Sequence, residues 1–191
     1  PRISKLWLYN LHYFDDLNAY DSISRSVWHN SLINRWIDEN LPFKGNGWEP
    51  YPSSLRIVNW IKWSLNGNLL ENHWVKSLEI QTRALSTNIE NHLLGNHIIA
   101  NAKALIFSGL FFKGNEADQW YQKGKKILEK QLKEQILSDG GNFELSTMYH
   151  AIFLEDLLDL INLHRAYNHE LPNGLEQKVP MMFSWLKTMC H

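Results

Sequence analysis

Three short clusters of polar and aromatic residues stand directly before three strongly apolar segments of the chain. The clusters lie at 47–52, 94–97 and 143–150, and together they contain tryptophan, tyrosine, histidine, asparagine and glutamate. Aromatic rings can stack on the apolar faces of sugars, and the polar side chains can bind a carboxylate or transfer a proton. The combination is suited to an acidic sugar. The candidate residues are Trp48, Glu49, Tyr51, Arg56, Asn96, His97, Glu144, Tyr149 and His150.

Several of these candidates also have a structural interpretation. Asn96 follows a glycine and is a suitable helix N-cap. His97 and His150 stand at predicted helix starts, where a histidine often has only a structural role. The ring of Tyr149 can belong to the core if its hydroxyl finds a hydrogen-bond partner. The residue types alone leave both interpretations open.

The two candidate carboxylates have a structural interpretation as well. Glu49 and Glu144 can be acidic residues of a first helical turn, or ion-pair partners of Arg56 and Arg83. Alternatively, the two carboxylates can form the acid and base pair of a glycoside hydrolase. Their separation in the structure would distinguish these possibilities.

The chain is predicted to be helical throughout, because strand-like alternation is nearly absent from it. An aromatic opening segment at about 5–18 precedes the first predicted helix. Glycine, proline and asparagine clusters separate the predicted helices from one another. Helices are predicted near 24–39, 53–66, 71–93, 97–112, 116–137, 148–168 and 176–190.

The predicted helices are of two kinds that alternate along the chain. One kind is amphipathic, which is typical of a helix with one face in water. The other is apolar nearly all round, which indicates a helix buried on every side. The amphipathic set is 24–39, 71–93 and 116–137, and the apolar set is 53–66, 97–112 and 148–165.

This alternation predicts an all-α fold of antiparallel helical hairpins in two layers, with residues 1–191 forming a single helical domain. A closed toroid and an open superhelix both fit two layers. The chain has no fixed-period repeat and its inner helices are very apolar, so we predict a partial (α/α) toroid. Inner helices then run parallel, and their amino-terminal ends, with the three polar clusters, share one end of the ring. Helix amino termini carry partial positive charge, which favours a bound anion.

Composition excludes several classes of protein. The formal net charge is −1, so nothing indicates a nucleic-acid partner, and no apolar run reaches the length of a membrane span. Cys190 is the lone cysteine, so no disulfide can form within the chain. The spacing of His92 and His97 does not match a standard zinc site, and we predict neither metal nor cofactor.

The same clusters resemble the heparinase II/III family of bacterial polysaccharide lyases. The matching stretches cover much of the chain, and the last three are long and distinctive. They are LWLYNLHYFDDL at 6–17, GWEPYPSSLRIVNWIKW at 47–63, NIENHLLGNHIIANAKALIFSGLFF at 88–112 and DGGNFELSTMYHAIFLEDLLDL at 139–160. The resemblance implies β-elimination at a uronic acid residue of a polysaccharide.

The resemblance also implies roles for three residues. Asn96 is expected to hydrogen-bond the substrate carboxylate, and Tyr149 to act as acid, base or both. His97 is expected to position the substrate or assist. A further catalytic histidine in such enzymes comes from a C-terminal β domain.

That β domain and the remaining toroid helices are expected to lie in the same parent chain, so we interpret both ends of this sequence as cut ends. A fragment of this kind is expected to be inactive alone. Periplasmic or extracellular bacterial location is implied by the resemblance, while the identity of the acidic polysaccharide is left open. A non-catalytic helical carbohydrate-binding scaffold is the remaining alternative.

Overall fold

The computed structural model describes residues 4–90 and 95–189, and every regular element in them is a helix. The eight α-helices of this part are α1 (Lys5–Asn10), α2 (Ser26–Glu39), α3 (Pro50–Leu65), α4 (Asn72–Thr87), α5 (Asn96–Phe111), α6 (Asn115–Gln135), α7 (Thr147–Ala166) and α8 (Leu175–Met189). The predicted helices agree closely with α2 to α8, which confirms the all-α fold. The predicted helix at 71–93 ends earlier, at Thr87, and residues 91–94, including His92, lie outside the described residues.

The chain forms two compact units, residues 1–89 (unit 1) and residues 90–191 (unit 2). The prediction that 1–191 is a single domain stays a prediction. No helix in the described part of the chain is long and apolar enough to cross a membrane.

Unit 1 is built around α3, which lies antiparallel to α4. Arg56 near the start of α3 donates from Nε to Oε1 of Gln81 near the end of α4, at 2.8 Å. At the other end of this pair, the rings of Trp63 and Trp74 lie 6.1 Å apart. Trp74 also donates to Asn34 of α2 at 2.6 Å, so α2 packs on α4 in the same unit.

Unit 2 is built around α5, which packs against both α6 and α7. Gly109, late in α5, lies against Tyr121, early in α6. Gly124, later in α6, lies against Ala102, which stands earlier in α5. These contacts make α5 and α6 an antiparallel hairpin. A substituted Gly109 or Gly124 would place its Cβ against the partner helix, so the two glycines allow the close approach.

Helix α7 runs parallel to α5. Glu144, just before α7, lies against Gly95, just before α5, while Asp156 inside α7 pairs with Lys103 inside α5. Helix α8 packs against α7, and contacts between α6 and α8 complete the unit. Helices α5 and α7 therefore place their amino-terminal ends at the same end of unit 2, as the hairpin prediction requires.

The predicted alternation of buried and half-exposed helices is clear for α3 and α5, and α7 follows it only by a small margin. Eleven of the 16 residues of α5 are buried, as are ten of the 16 of α3, compared with three of 14 in α2. In α7 eight of 20 residues are buried, close to the eight of 21 in the amphipathic α6. The physical reason is that α7 has an exposed face, which carries the apolar Met148 and Ile152 as well as the polar Glu155 and Asn162.

Candidate functional site

Asn96 is the first residue of α5, and the helix cap is the preceding glycine. Gly95 has φ 81° and ψ −143°, a conformation that side chains with a Cβ rarely adopt. The interpretation of Asn96 as an N-cap is therefore wrong, because the helix begins at Asn96 itself, one residue earlier than a capping Asn96 requires. Asn96 is half-buried in the first turn of α5.

Two side chains hold the backbone of Gly95 in place. Nε2 of Gln135, at the end of α6, donates to the Gly95 carbonyl oxygen at 3.1 Å, and the same nitrogen donates to Gln131 Oε1 at 2.6 Å. On another side, the carboxylate of Glu144 occupies the space that a Cβ on Gly95 would need. The carboxylate thus lies at the amino-terminal end of α5, where a negative charge is favoured. Glu144, predicted as a site residue, therefore contacts the residue that directly precedes Asn96.

His97 belongs to a small hydrogen-bonded network that the sequence interpretation missed. Its Nδ1 lies 3.2 Å from Oε2 of Glu90, a residue that is 8% exposed. Asn101, fully buried one turn further along α5, accepts from the Glu90 backbone N–H at 3.0 Å and donates towards the Glu90 carboxylate at 3.5 Å. The available signal was the spacing of His97 and Asn101, four residues apart on one helix face.

Tyr149 lies in the first turn of α7. Ser146 is the N-cap of that helix, and its hydroxyl oxygen accepts from the Tyr149 backbone N–H at 3.4 Å. Tyr149 is half-buried. Because α5 and α7 are parallel, Tyr149 lies at the same end of unit 2 as Asn96 and His97.

His150 is fully buried and uses both ring nitrogens inside the protein. The backbone N–H of Asn142 donates to Nδ1 at 3.2 Å, and Nε2 lies 3.0 Å from the carbonyl oxygen of Met182. Its ring also stacks on Trp185, with 4.4 Å between centroids. Nδ1 therefore accepts and Nε2 carries the proton. This geometry favours a structural role, joining α7 to α8, over the predicted substrate contact.

Glu49, in unit 1, is the N-cap residue of α3 and the centre of a surface cluster. Its carboxylate forms an ion pair with Lys5 at 2.8 Å and accepts from the hydroxyl of Tyr9. Burial, followed by the hydrogen bond to Glu49, raises the pKa of Tyr9 above its ordinary value. Tyr51 follows in the first turn of α3, edge-on to Tyr13 at 6.0 Å. The cluster of Lys5, Tyr9 and Glu49 therefore presents an ammonium, a phenol and a carboxylate.

Trp48 and Arg56 are buried, contrary to what a substrate-binding role would favour. Trp48 packs on Trp36 with 5.8 Å between ring centroids, and its Nε1 donates to the Asn40 carbonyl oxygen at 3.0 Å. The guanidinium of Arg56 lies 3.7 Å from the centroid of the Trp36 ring and donates to Gln81. Burial lowers the pKa of Arg56 well below its ordinary value.

The proposed pairing of Glu49 and Glu144 with arginines is not what the structure contains. The hydrogen bonds of Arg56 go to Gln81, the His12 carbonyl oxygen and Ser53. Arg83 pairs with Glu79, four residues earlier on the same helix.

A buried ion cluster joins α5 to α7, and the sequence interpretation missed it too. Nζ of Lys103, which is 7% exposed, lies 2.8 Å from Asp156 and 2.6 Å from Asp159. Burial by itself would lower the pKa of Lys103, but the two carboxylates outweigh it and hold the pKa above its ordinary value. The cluster fixes the two helices whose amino-terminal ends carry Asn96 and Tyr149.

The fold is that of the corresponding part of solved heparinases, which confirms the predicted partial helical toroid. Heparinase III superimposes with a TM-score of 0.79 at 22% identity, over 97% of this chain and 31% of that structure. The heparan sulfate lyase HepC from Pedobacter heparinus gives a TM-score of 0.72 at 23% identity, over 98% of this chain and 32% of the other.

Sequence comparison identifies the family. The family described as "Heparinase II/III N-terminus" matches residues 53–190, so the chain belongs to the heparinase II/III family. A heparin-sulfate lyase of Pedobacter heparinus is 29% identical over 111 residues, 58% of this chain and 16% of the relative. One from Bacteroides stercoris is 32% identical over 74 residues, 38% of this chain and 11% of the relative. The chain thus spans a small part of the relatives that it matches.

Proposed function

We propose that the protein containing this chain is a polysaccharide lyase that cleaves a uronic-acid-containing polysaccharide by β-elimination. The observation that carries the proposal is the parallel packing of α5 and α7, which brings Asn96, His97 and Tyr149 to one end of unit 2. This end lies within the region that the family description covers. Both named relatives are heparin-sulfate lyases, which supports a sulfated glycosaminoglycan of the heparan type as the substrate.

The reaction requires three things of the site. A base removes the C5 proton of the uronate, the C4–O bond breaks as a C4–C5 double bond forms, and an acid protonates the leaving oxygen. The substrate carboxylate must be hydrogen-bonded, because negative charge accumulates on it as the C5 proton leaves. We assign the carboxylate contact to Asn96 and proton transfer to Tyr149. His97 positions the substrate or assists.

Glu144 has a supporting role in this proposal. Its carboxylate already lies at the amino-terminal end of α5, against Gly95. It is suited to accept hydrogen bonds from sugar hydroxyls and to fix the backbone that precedes Asn96. In unit 1, Glu49 and Tyr51 are proposed as further sugar contacts, with Lys5 supplying positive charge beside them.

We further propose that the rest of the toroid and the C-terminal β domain belong to the same parent chain. The support is that this chain spans 11% and 16% of two relatives and about a third of the solved structures. The present chain is accordingly expected to be inactive on its own.

The test uses the full-length protein on a panel of heparan sulfate, hyaluronan and alginate. A lyase produces an unsaturated uronate, which absorbs in the ultraviolet, while a hydrolase produces new reducing ends without that absorbance. We expect unsaturated product with heparan sulfate. Reducing ends without absorbance would overturn the lyase assignment.

Variants then test the residue roles. Tyr149→Phe deletes one hydroxyl and is expected to reduce kcat by about 10²–10⁴-fold. Asn96→Ala is expected to raise the barrier by roughly 3–4 kcal/mol if the amide acts as an oxyanion-type donor. Glu144→Gln is expected to have a milder effect, since it keeps the shape of the side chain and Glu144 is assigned no proton-transfer role. If Glu144→Gln is inactive and Tyr149→Phe is active, the roles are reversed.

A further inference from the structure

The buried carboxylate of Glu90 contacts His97, a candidate site residue that follows Asn96 in the sequence. The Glu90 side chain is 10% exposed and the His97 side chain 28% exposed. A carboxylate in such surroundings is stable when it accepts hydrogen bonds, and Oε2 of Glu90 lies within 3.2 Å of His97 Nδ1. The contact is therefore partly shielded from water, which strengthens it.

Asn101 fixes the position of Glu90. Its Oδ1 accepts from the Glu90 backbone N–H at 3.0 Å, and its Nδ2 is 3.5 Å from the Glu90 carboxylate oxygen that faces His97. Asn101 is fully buried inside α5, the helix that also carries His97. The carboxylate is thus held by the same rigid element that presents the imidazole, so their relative positions are set together.

Such a contact determines which imidazole nitrogen carries the proton. An ionised carboxylate can only accept, so Nδ1 of His97 must be the donor. In the neutral ring the lone pair is then on Nε2. A neutral imidazole without such a partner favours the opposite form, with the proton on Nε2.

We propose that Glu90, supported by Asn101, is a positioning residue that fixes His97 in the Nδ1–H form, so that Nε2 acts as a hydrogen-bond or proton acceptor in the site. This inference rests on the proposed lyase function for the identity of the substrate. The hydrogen-bond arrangement itself does not depend on that function. The geometry that carries it is the continuous chain from Asn101 through Glu90 to His97.

The first experiment reads the tautomer directly. Long-range proton–nitrogen NMR correlations on the full-length protein with ¹⁵N-labelled histidine report which nitrogen of neutral His97 is protonated. We expect Nδ1–H in the wild type, retention of this form in Glu90→Gln, which keeps an acceptor, and a shift towards Nε2–H in Glu90→Met. Glu155→Met removes an exposed carboxylate from the same unit and should change nothing. An Nε2–H form in the wild type, or no change in Glu90→Met, would overturn the inference.

The second experiment measures whether the effect acts through His97. On heparan sulfate, Glu90→Met should lower kcat by about 10–100-fold with KM little changed, as for other residues that orient a site imidazole. Glu90→Gln should recover most of the rate. In a His97→Ala background, Glu90→Met should cause little further loss, because the two residues act as one unit. An equal loss in both backgrounds would refute positioning through His97.

These experiments separate the two hypotheses. If the wild type forms no unsaturated product, the proposed function fails, whatever the tautomer of His97. If the wild type is active but its tautomer and rate are indifferent to Glu90→Met, the positioning role alone fails. Should Glu90→Met not fold, Asn101→Leu is the second variant, and it is expected to weaken the preference for Nδ1–H. Failure of Asn101→Leu to change the tautomer would then count against the inference.

Discussion

Replacement of Lys103 by methionine tests how the two helices that carry the site residues are held together. Methionine keeps most of the side-chain volume and removes the charge, so the effect reports on the ion cluster and not on a cavity. In the structure Lys103 Nζ lies 2.8 Å from Asp156 and 2.6 Å from Asp159, and the ammonium is buried. The substitution leaves the carboxylates of Asp156 and Asp159, which are 16% and 19% exposed, without their counter-ion.

The expected loss follows from electrostatics. At an effective dielectric constant of about 20, each N–O contact contributes roughly 6 kcal/mol of gross Coulomb attraction. Desolvation offsets much of this, at several kcal/mol for each ion, so the intact cluster adds little net stability. Removing one partner is different, because the remaining charges stay buried without compensation. We therefore expect Lys103→Met to lower the free energy of unfolding by about 3–5 kcal/mol.

The assay is urea denaturation followed by circular dichroism, with Lys130→Ala as control. Lys130 lies 3.5 Å from Glu134 on the exposed face of α6, with 70% of its side chain accessible, so its loss should cost at most about 1 kcal/mol. Adding Asp156→Asn and Asp159→Asn to Lys103→Met should restore most of the stability. Equal, small effects of Lys103→Met and Lys130→Ala would refute the reasoning.

The pH dependence of stability in the wild type and in Lys103→Met provides a second check. In the wild type the pKa of Lys103 is raised by folding, so its contribution to stability is present below pH ~10.5 and is lost as the pH rises through the folded-state pKa. In Lys103→Met this contribution is absent at every pH. Its deficit relative to the wild type should therefore shrink as the pH rises above ~10.5 towards the folded-state pKa of Lys103. A deficit that is constant with pH would show that packing, and not charge, is responsible.

Three further predictions concern stability. Gly95→Ala should lower the free energy of unfolding by about 1–3 kcal/mol because of the backbone conformation, and by more because Glu144 is displaced. Gly67→Ala, at φ 94° with open space around it, should show the backbone cost alone. Equal losses of stability in urea titrations would show that the Glu144 contact contributes nothing. Trp48→Ala should lower the free energy of unfolding by about 3–5 kcal/mol, because the ring is buried, and a raised KM with unchanged stability would instead restore its role as a sugar platform. Burial lowers the pKa of His164, so the free energy of unfolding should fall as the pH drops below the ordinary imidazole pKa of about 6.5. His164→Gln should flatten that dependence in denaturation curves measured between about pH 5 and pH 7.

The order and type of the helices could be predicted from the sequence, because the period of the apolar residues is a local property. Segments 97–112 and 116–137 differ in that pattern, and the structure has them as the buried α5 and the amphipathic α6. The prediction for α7 holds only by a small margin, because part of its exposed face is apolar, at Met148 and Ile152. Residue type in this helix therefore does not mark which side a neighbouring helix covers.

The candidate residues at the starts of α5 and α7 were also found from the sequence, since helix starts are marked by local signals. Gly95 and Ser146 stand where the helices begin, and Asn96 and Tyr149 follow within the first turn. What local signals could not provide is the direction of α7 relative to α5. That direction decides whether the two residues share an end of the unit, and it depends on contacts such as Lys103 with Asp156.

The sequence by itself thus determined the helices and the polar residues at their ends, and the tertiary structure decided which of those residues face the interior. Arg56 and His150 have side chains suited to an acidic sugar, yet both are buried and hydrogen-bonded within their units. Glu90, ordinary by type, becomes the partner of His97. The physical reason is that the burial and partners of a polar group are set by residues distant in sequence, which the one-dimensional pattern does not specify.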